Sequence, residues 1–161
     1  KPIFVADFWN DGCLTDGCLA AGRHYFHINA KGDVEPCVFS HFTVDSIYQK
    51  SVREVLASPF FKELRDRTEE ATRSNRLAPC NIIDHPQILR EAVLRHGARP
   101  SHEGADSIIT SLSPILEEAG QAYDRLTRPI FEKEYLPWYK QFQGKVKGNQ
   151  AKVTVKEGNH A

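Results

Sequence analysis

Along the first third of the chain the spacing of apolar positions changes twice. Ile3 to Phe8 is a short apolar run of the kind a buried strand uses, and Asn10-Asp11-Gly12 and Asp16-Gly17 then punctuate a loop. From Arg23 the pattern alternates, with His24, Phe26 and Ile28 on one face and Tyr25, His27 and Asn29 on the other. A period of two, rich in aromatic and β-branched side chains, predicts a strand. Asn29-Ala30-Lys31-Gly32 predicts a turn with Gly32 where positive φ is needed, and Asp33 to Phe39 returns as the second strand of a hairpin.

Beyond residue 50 the period becomes helical. Ser51 caps a short helix through Leu56, and Ser58-Pro59 opens another that buries Phe60, Phe61 and Leu64. Asp84, with Gln87 three residues on, predicts a capping-box start for a helix that buries Ile88, Leu89, Ala92 and Val93 and stops at Gly97. Ser113-Pro114 opens the most amphipathic helix, whose stripe of Ile115, Leu116, Ala119, Ala122, Tyr123 and Leu126 is expected to face the core. Thr127 and Pro129 are expected to restart a last aromatic segment through Phe142, interrupted near Pro137. Its Phe131, Tyr135, Trp138 and Phe142, at helical spacing, read as core packing or a docking face. From Gly144 onward there are four lysines and one glutamate, which reads as a flexible basic tail. There is no internal repeat. These elements predict an α+β fold: a small β-hairpin module followed by several packed α-helices.

Composition narrows the class without naming a function. A length of 161 residues is enough for one domain with a real core, and 40% hydrophobic with 26% charged residues are ordinary globular values. Equal counts of 21 basic and 21 acidic side chains give no overall field for nucleic acid or an anionic membrane. No apolar run approaches the roughly 20 residues that span a bilayer. No signal peptide is visible, which makes the cytoplasm the expected compartment. The opening KPIFVADF reads like the interior of a domain, so the chain is expected to be a piece of a longer polypeptide.

The chemistry is carried by Cys13, Cys18, Cys37 and Cys80, spaced C-x4-C-x18-C-x42-C. Thiolates are soft ligands that select zinc, copper(I) or iron–sulfur clusters. The spacing matches neither paired zinc knuckles nor a CxxC redox motif. Hairpin geometry suggests how it closes: with the turn near Lys31, Cys37 lies across from about Tyr25, and Gly17 and Gly22 let the Cys18 segment curl over the hairpin end. Cys13 then lies beside Cys18, and Cys80 comes from a loop preceding a helix. Against this stands the use of cysteine as a small buried hydrophobe.

Within the stretch CLAAGRHYFHINAKGDVEPC, Cys18, Gly32 and Cys37 read C-x13-G-x4-C. This resembles C-x(9–15)-G-x4-C, the opening signature of the auxiliary-cluster region that follows radical S-adenosylmethionine (SAM) barrels, called SPASM or, when shortened, twitch. HINAKGDVEPCVFSHF and the SPFF-like helix start are similar to that region too, and the likeness runs from about Ile3 to about Gly97. The resemblance implies residues 1–97 as the auxiliary-cluster domain, 98–143 as a helical extension packed on it, and 144–161 as the tail. It implies a [4Fe–4S] cluster on Cys13, Cys18, Cys37 and Cys80 that passes electrons, or positions substrate if Cys13 is not a ligand and one iron is open. Two departures matter. The CxxCx5CxxxC block of a full SPASM region is absent, so one cluster is implied. The SAM-cleaving CxxxCxxC motif is absent as well, so the SAM-binding barrel, the implied partner, would lie upstream of Lys1 in the same polypeptide. The chain alone would not be a competent enzyme, and its substrate is not legible. The rival readings are a structural zinc module and a metal-free helical interaction domain.

Secondary candidates carry less. His24, His27 and His41 lie near the cysteine loops as alternative ligands or as ordinary strand histidines, and Arg23 as a donor near the cluster or a solvent-facing strand end. Asp7 and Asp11, flanking Trp9, could line a substrate site, although Asn10-Asp11-Gly12 is a sufficient turn by itself. No nucleophile elbow or phosphate-binding glycine loop occurs.

Overall fold

The computed structural model describes residues 11–141. The expected strand at Ile3–Phe8, Asp7, Phe142 and the basic tail lie outside them. After a one-turn helix α1 (Gly12–Thr15), β1 (His27–Ile28) and β2 (Asp33–Glu35) form the expected antiparallel hairpin, and β4 (Asp45–Ser46) adds to β2 in the order β1-β2-β4. A second small antiparallel sheet pairs β3 (Phe42–Thr43) with β5 (Arg99–Pro100), Phe42 opposite Pro100. The strands are shorter than the alternation suggests. Gly32 has φ +78°, as the turn requires.

The helices α2 (Val52–Leu56), α3 (Pro59–Thr72) and α4 (Pro86–His96) follow their sequence signals closely. Ser51 and Glu54 form a reciprocal capping box on α2, and the Ser58 hydroxyl accepts from the Phe61 amide at 3.3 Å with Pro59 in the first turn of α3. Phe60, Phe61 and Leu64 of α3 and Ile88, Leu89, Ala92 and Val93 of α4 are buried together with Val34, Phe42 and Val55. This is the core, and β2 lies on it: all three of its residues are buried. Gly97 ends α4 in a left-handed conformation, its amide donating to the Val93 carbonyl. Among the described residues no helix is long and apolar enough to cross a membrane.

The C-terminal helix departs from expectation. After a 3-10 turn (Ala105–Ile109), α5 (Ser113–Ile130) runs through Pro129 without a break. It continues as a π-helical turn (Phe131–Tyr135), with helix again over 136–141. The wide turn, closed by the Leu136 amide on the Phe131 carbonyl, gives room where Pro137 lacks an amide and crowds the preceding turn. More important, α5 lies on the molecule with its polar face. Ser113 and Glu117 take hydrogen bonds from Arg90, and Asn75 donates to Asp124 at 3.0 Å and Thr127 at 2.9 Å. Gly120 is buried against the backbone of Ile83 and Asp84, and Phe131, just beyond α5, is buried as well. The stripe expected to be core faces outward instead: Ile115 is 65% exposed and Leu126 72%. The polar groups of the 75–84 loop and of Arg90 need partners, and α5 supplies them.

Candidate metal centre

The hairpin register decides where the first two thiols meet. His27 faces Glu35 and Ile28 faces Val34, so two residues further along the same register Tyr25 faces Cys37. The Tyr25 hydroxyl and the Cys37 sulfur are 2.7 Å apart. Upstream, Gly17 (φ +103°) and Gly22 (φ +75°) turn the Cys18 segment back on the hairpin, where the Ala21 amide donates to the Pro36 carbonyl at 2.8 Å. Arg23 is a clamp on this loop, donating to the carbonyls of Cys18 at 2.9 Å and Thr15 at 2.7 Å. From α3, Arg65 holds the Ala21 carbonyl at 2.7 Å.

The third thiol comes from the turn before α4. The Asp84 and His85 amides donate to the Cys80 carbonyl, while the Asp84 carboxylate accepts from the Cys80 amide at 2.8 Å. That use of Asp84 corrects the expected capping box: the N-cap of α4 is His85, with Pro86 at the first helical position. The Ile82 amide donates to the Cys80 sulfur at 3.4 Å, and the Ile83 amide lies on the same sulfur. Arrays of amide donors around sulfur are the surroundings that tune iron–sulfur clusters.

Cys37 belongs to the apolar cluster, Cys18 and Cys80 pack against it, and Cys37 and Cys80 both lie within electrostatic reach of Cys18. Burial pushes the Cys18 thiol up despite the Ala20 amide on its sulfur, with Cys37 and Asp84 adding to the rise and Arg23 opposing it. Burial pushes Cys80 up to about 12, with Cys18 and Asp84 contributing. Burial also raises Tyr25, reinforced by Cys37 and Cys18. Burial and the Asp124 carboxylate raise Asp84 to about 6 against the Cys80 amide that donates to it. Burial therefore favours neutral Cys18 and Cys80 thiols until a cation supplies the compensating charge, and soft sulfur donors with amides on them fit an iron–sulfur cluster. Among the described residues no three His, Cys, Asp or Glu side chains converge closely enough to hold a single metal ion.

Cys13 stands apart. It is buried in α1, where burial pushes its thiol up to about 11 against the nearby Arg76, and no other thiol is among the groups that influence it. With Leu14, Glu134, Tyr135 and Trp138 it lines a separate cleft of 440 Å³.

The histidines do not join the thiols. His27 Nδ1 pairs with the buried Glu35 carboxylate at 2.7 Å, His41 packs edge-on against His102 with ring centroids 4.5 Å apart, and His24 is exposed. Asp11 is the N-cap of α1, its carbonyl taking the Leu14 and Thr15 amides. Of the aromatic set, Phe131 is buried against Tyr139, while Tyr135 and Trp138 line the Cys13 cleft. Sequence reasoning missed Asp84 as a group of the Cys80 turn. Its signal was an Asp four residues after a Cys and immediately before His-Pro, which favours a side chain folded back on the preceding turn.

Residues 18–82 match the family model described as SPASM, an iron-sulfur cluster-binding domain. The matched stretch includes Cys18, Gly32, Cys37 and Cys80 and leaves Cys13 outside. No curated protein and no solved structure matches the chain.

Proposed function

We propose, for a chain whose residues 18–82 match the SPASM iron-sulfur cluster-binding domain model, that the bound group is a single auxiliary [4Fe–4S] cluster serving a radical SAM enzyme. The observation that carries this reading is that Cys37 lies in one hydrophobic cluster and Cys18 and Cys80, partly buried, pack against it, all three within the matched stretch. When bound, such a cluster supplies a one-electron site, or an iron that can take a substrate atom. The chain's own residues hold and shield it. Cys18, Cys37 and Cys80 are the thiolate ligands, the amides of Ala20, Ile82 and Ile83 donate to sulfur, and the Tyr25 hydroxyl covers Cys37. Arg23 fixes the Cys18 loop through main-chain carbonyls. Cys13 lies near Arg76 and no other thiol is among the groups that influence it, so the three-thiol form, with one iron not held by cysteine, is the reading favoured here.

A tetrahedral zinc, with sulfur ligands about 2.3 Å from the metal, draws its thiols into direct contact. Zinc is the rival reading, and metal and sulfide content distinguish it from the larger group. The partner proposed for this domain is a SAM-cleaving barrel, whose CxxxCxxC motif this sequence does not carry. Electron transfer and substrate positioning beside that barrel are the two roles the pocket would serve.

Anaerobic reconstitution tests the reading. The expected product is brown, with about four irons and four sulfides per chain. Cys18→Ser, Cys37→Ser and Cys80→Ser should each lose most of the iron, whereas Cys13→Ser should keep it. One tightly held, colourless zinc per chain would sink the proposal. Iron loss in Cys13→Ser would instead give the closed, four-thiolate form.

A further inference from the structure

The stripe that α5 leaves outside is a regular seam. Counted in heptads from Leu112, positions a and d fall on Leu112, Ile115, Ala119, Ala122 and Leu126, and Pro129 at the next d closes the run. Leu112 is 42% exposed, Ile115 65% and Leu126 72%. At 100° per residue, the seam lies roughly 150° around the helix axis from the Ser113, Glu117, Gly120 and Asp124 face that holds α5 to the body. A second helix can therefore reach the seam without displacing the first contact.

We propose that α5 pairs antiparallel with α5 of a second copy of this chain. The side chains select both the occupant and the orientation. In an antiparallel pair with its two-fold axis between Ala119 and Ala122, Ala119 meets the partner subunit's Ala122 and Ile115 meets the partner subunit's Leu126. Small side chains in the two central layers let the axes approach to about 8 Å, with the larger ones closing the ends.

The flanking charges point the same way. Glu118 and Arg125 both occupy g, both are exposed, and neither has an ion-pair partner among the described residues. Antiparallel helices bring g against g, so Glu118 meets the partner subunit's Arg125 and Arg125 meets the partner subunit's Glu118. Parallel helices bring g against e, where Glu118 would meet the partner subunit's Tyr123 and the ion pairs vanish. On the opposite flank the antiparallel arrangement sets Leu116 against the partner subunit's Tyr123, widening the apolar contact. From Leu112 to Leu126 the seam is about 21 Å long at 1.5 Å per residue, which suits a reversible pair better than an obligate one.

Sedimentation velocity of the full chain across a wide concentration range reads this directly. The expected result is a monomer that passes to a dimer as concentration rises. Leu126→Lys and Ala119→Glu should remain monomeric, with the helical circular dichroism and melting temperature of the parent. Glu118→Arg and Arg125→Glu should each weaken the dimer roughly tenfold, and the double reversal should restore it. Monomer at every concentration overturns the proposal, as does a dimer indifferent to Leu126→Lys or singles that the double reversal fails to rescue. In a longer natural polypeptide, α5 amides protected from exchange at every dilution would assign the face to another segment and overturn it too.

Discussion

The contact between Tyr25 and Cys37 shows how much a single residue position carries. The turn centre and the alternation place Tyr25 across from Cys37 on sequence grounds, and the 2.7 Å separation of hydroxyl and sulfur follows from that register. Tyr25→Phe should cost about 0.5–1.5 kcal/mol in urea unfolding of the metal-free protein, the usual worth of one hydrogen bond. In the iron-loaded protein it should move the reduction midpoint to a more negative value, because one donor to a ligand sulfur is gone. Arg76 gives the opposite lesson. Its guanidinium is 3% exposed and pairs with Glu69 at 2.7 Å, Asp16 at 3.0 Å and Thr72 at 2.8 Å. Nothing in its local sequence announces this, since the three partners come from two elements that meet only on folding. Arg76→Met should destabilise by about 2–3 kcal/mol on a denaturant curve, toward the low side for a broken buried pair because the acidic partners are partly solvated.

At the scale of elements, helices that bury their apolar stripe were legible and the one that does not was misread. Caps and periodicity located α2, α3 and α4 nearly to the residue because their signals and their packing agree. Amphipathicity says that a stripe seeks apolar contact but not which surface provides it, so α5 was assigned to the wrong side. Its true anchor is tight: a Cβ on Gly120 would sit 2.5 Å from the Asp84 carbonyl oxygen. Gly120→Ala should therefore cost about 1–3 kcal/mol by overpacking and loosen the Cys80 turn, read as a lower melting temperature and faster iron loss to a chelator. Between α3 and α4, Glu63 is held by His96 at 2.8 Å and by Arg95 at 2.7 Å. Burial raises its pKa, but hydrogen bonds from His96, Arg67 and Arg95 outweigh this and hold it below the ordinary carboxylate value. The unfolded chain then binds the proton more readily. The stabilisation is complete above the unfolded pKa of about 4.3 and disappears as pH falls through the lower folded value. Wild type should exceed Glu63→Gln by about 1 kcal/mol at neutral pH, and the two should converge in acid unfolding curves.

For the whole molecule, the pocket joins segments separated by most of the matched region, from Cys18 to Cys80, so filling it ties the hairpin to α4. A ligand that binds only the folded form stabilises it by mass action. Removing iron should lower the melting temperature and speed amide exchange in residues 18–25 and 78–84. Dimerisation through α5 should persist, because that face lies away from the thiols. The neighbourhood of Cys18 and Cys37 was legible because one hairpin sets their relation, and the position of Cys80 ahead of α4 because a helix start follows it. The isolation of Cys13 was not legible, since it depends on Arg76 and the 134–138 segment lying against α1. The hairpin also explains an asymmetry in spacing. The thirteen residues between Cys18 and Gly32 include a curl that hangs on Gly22 and can lengthen or shorten without moving either end. The four between Gly32 and Cys37 are β2 and its edge, locked in register. One inserted residue there would turn the Cys37 thiol to the other face of the sheet, whereas one inserted at Gly22–Arg23 would only enlarge a bulge. The hairpin thus works as a ruler with one rigid arm and one elastic arm, and only the rigid arm must keep its length as related sequences diverge.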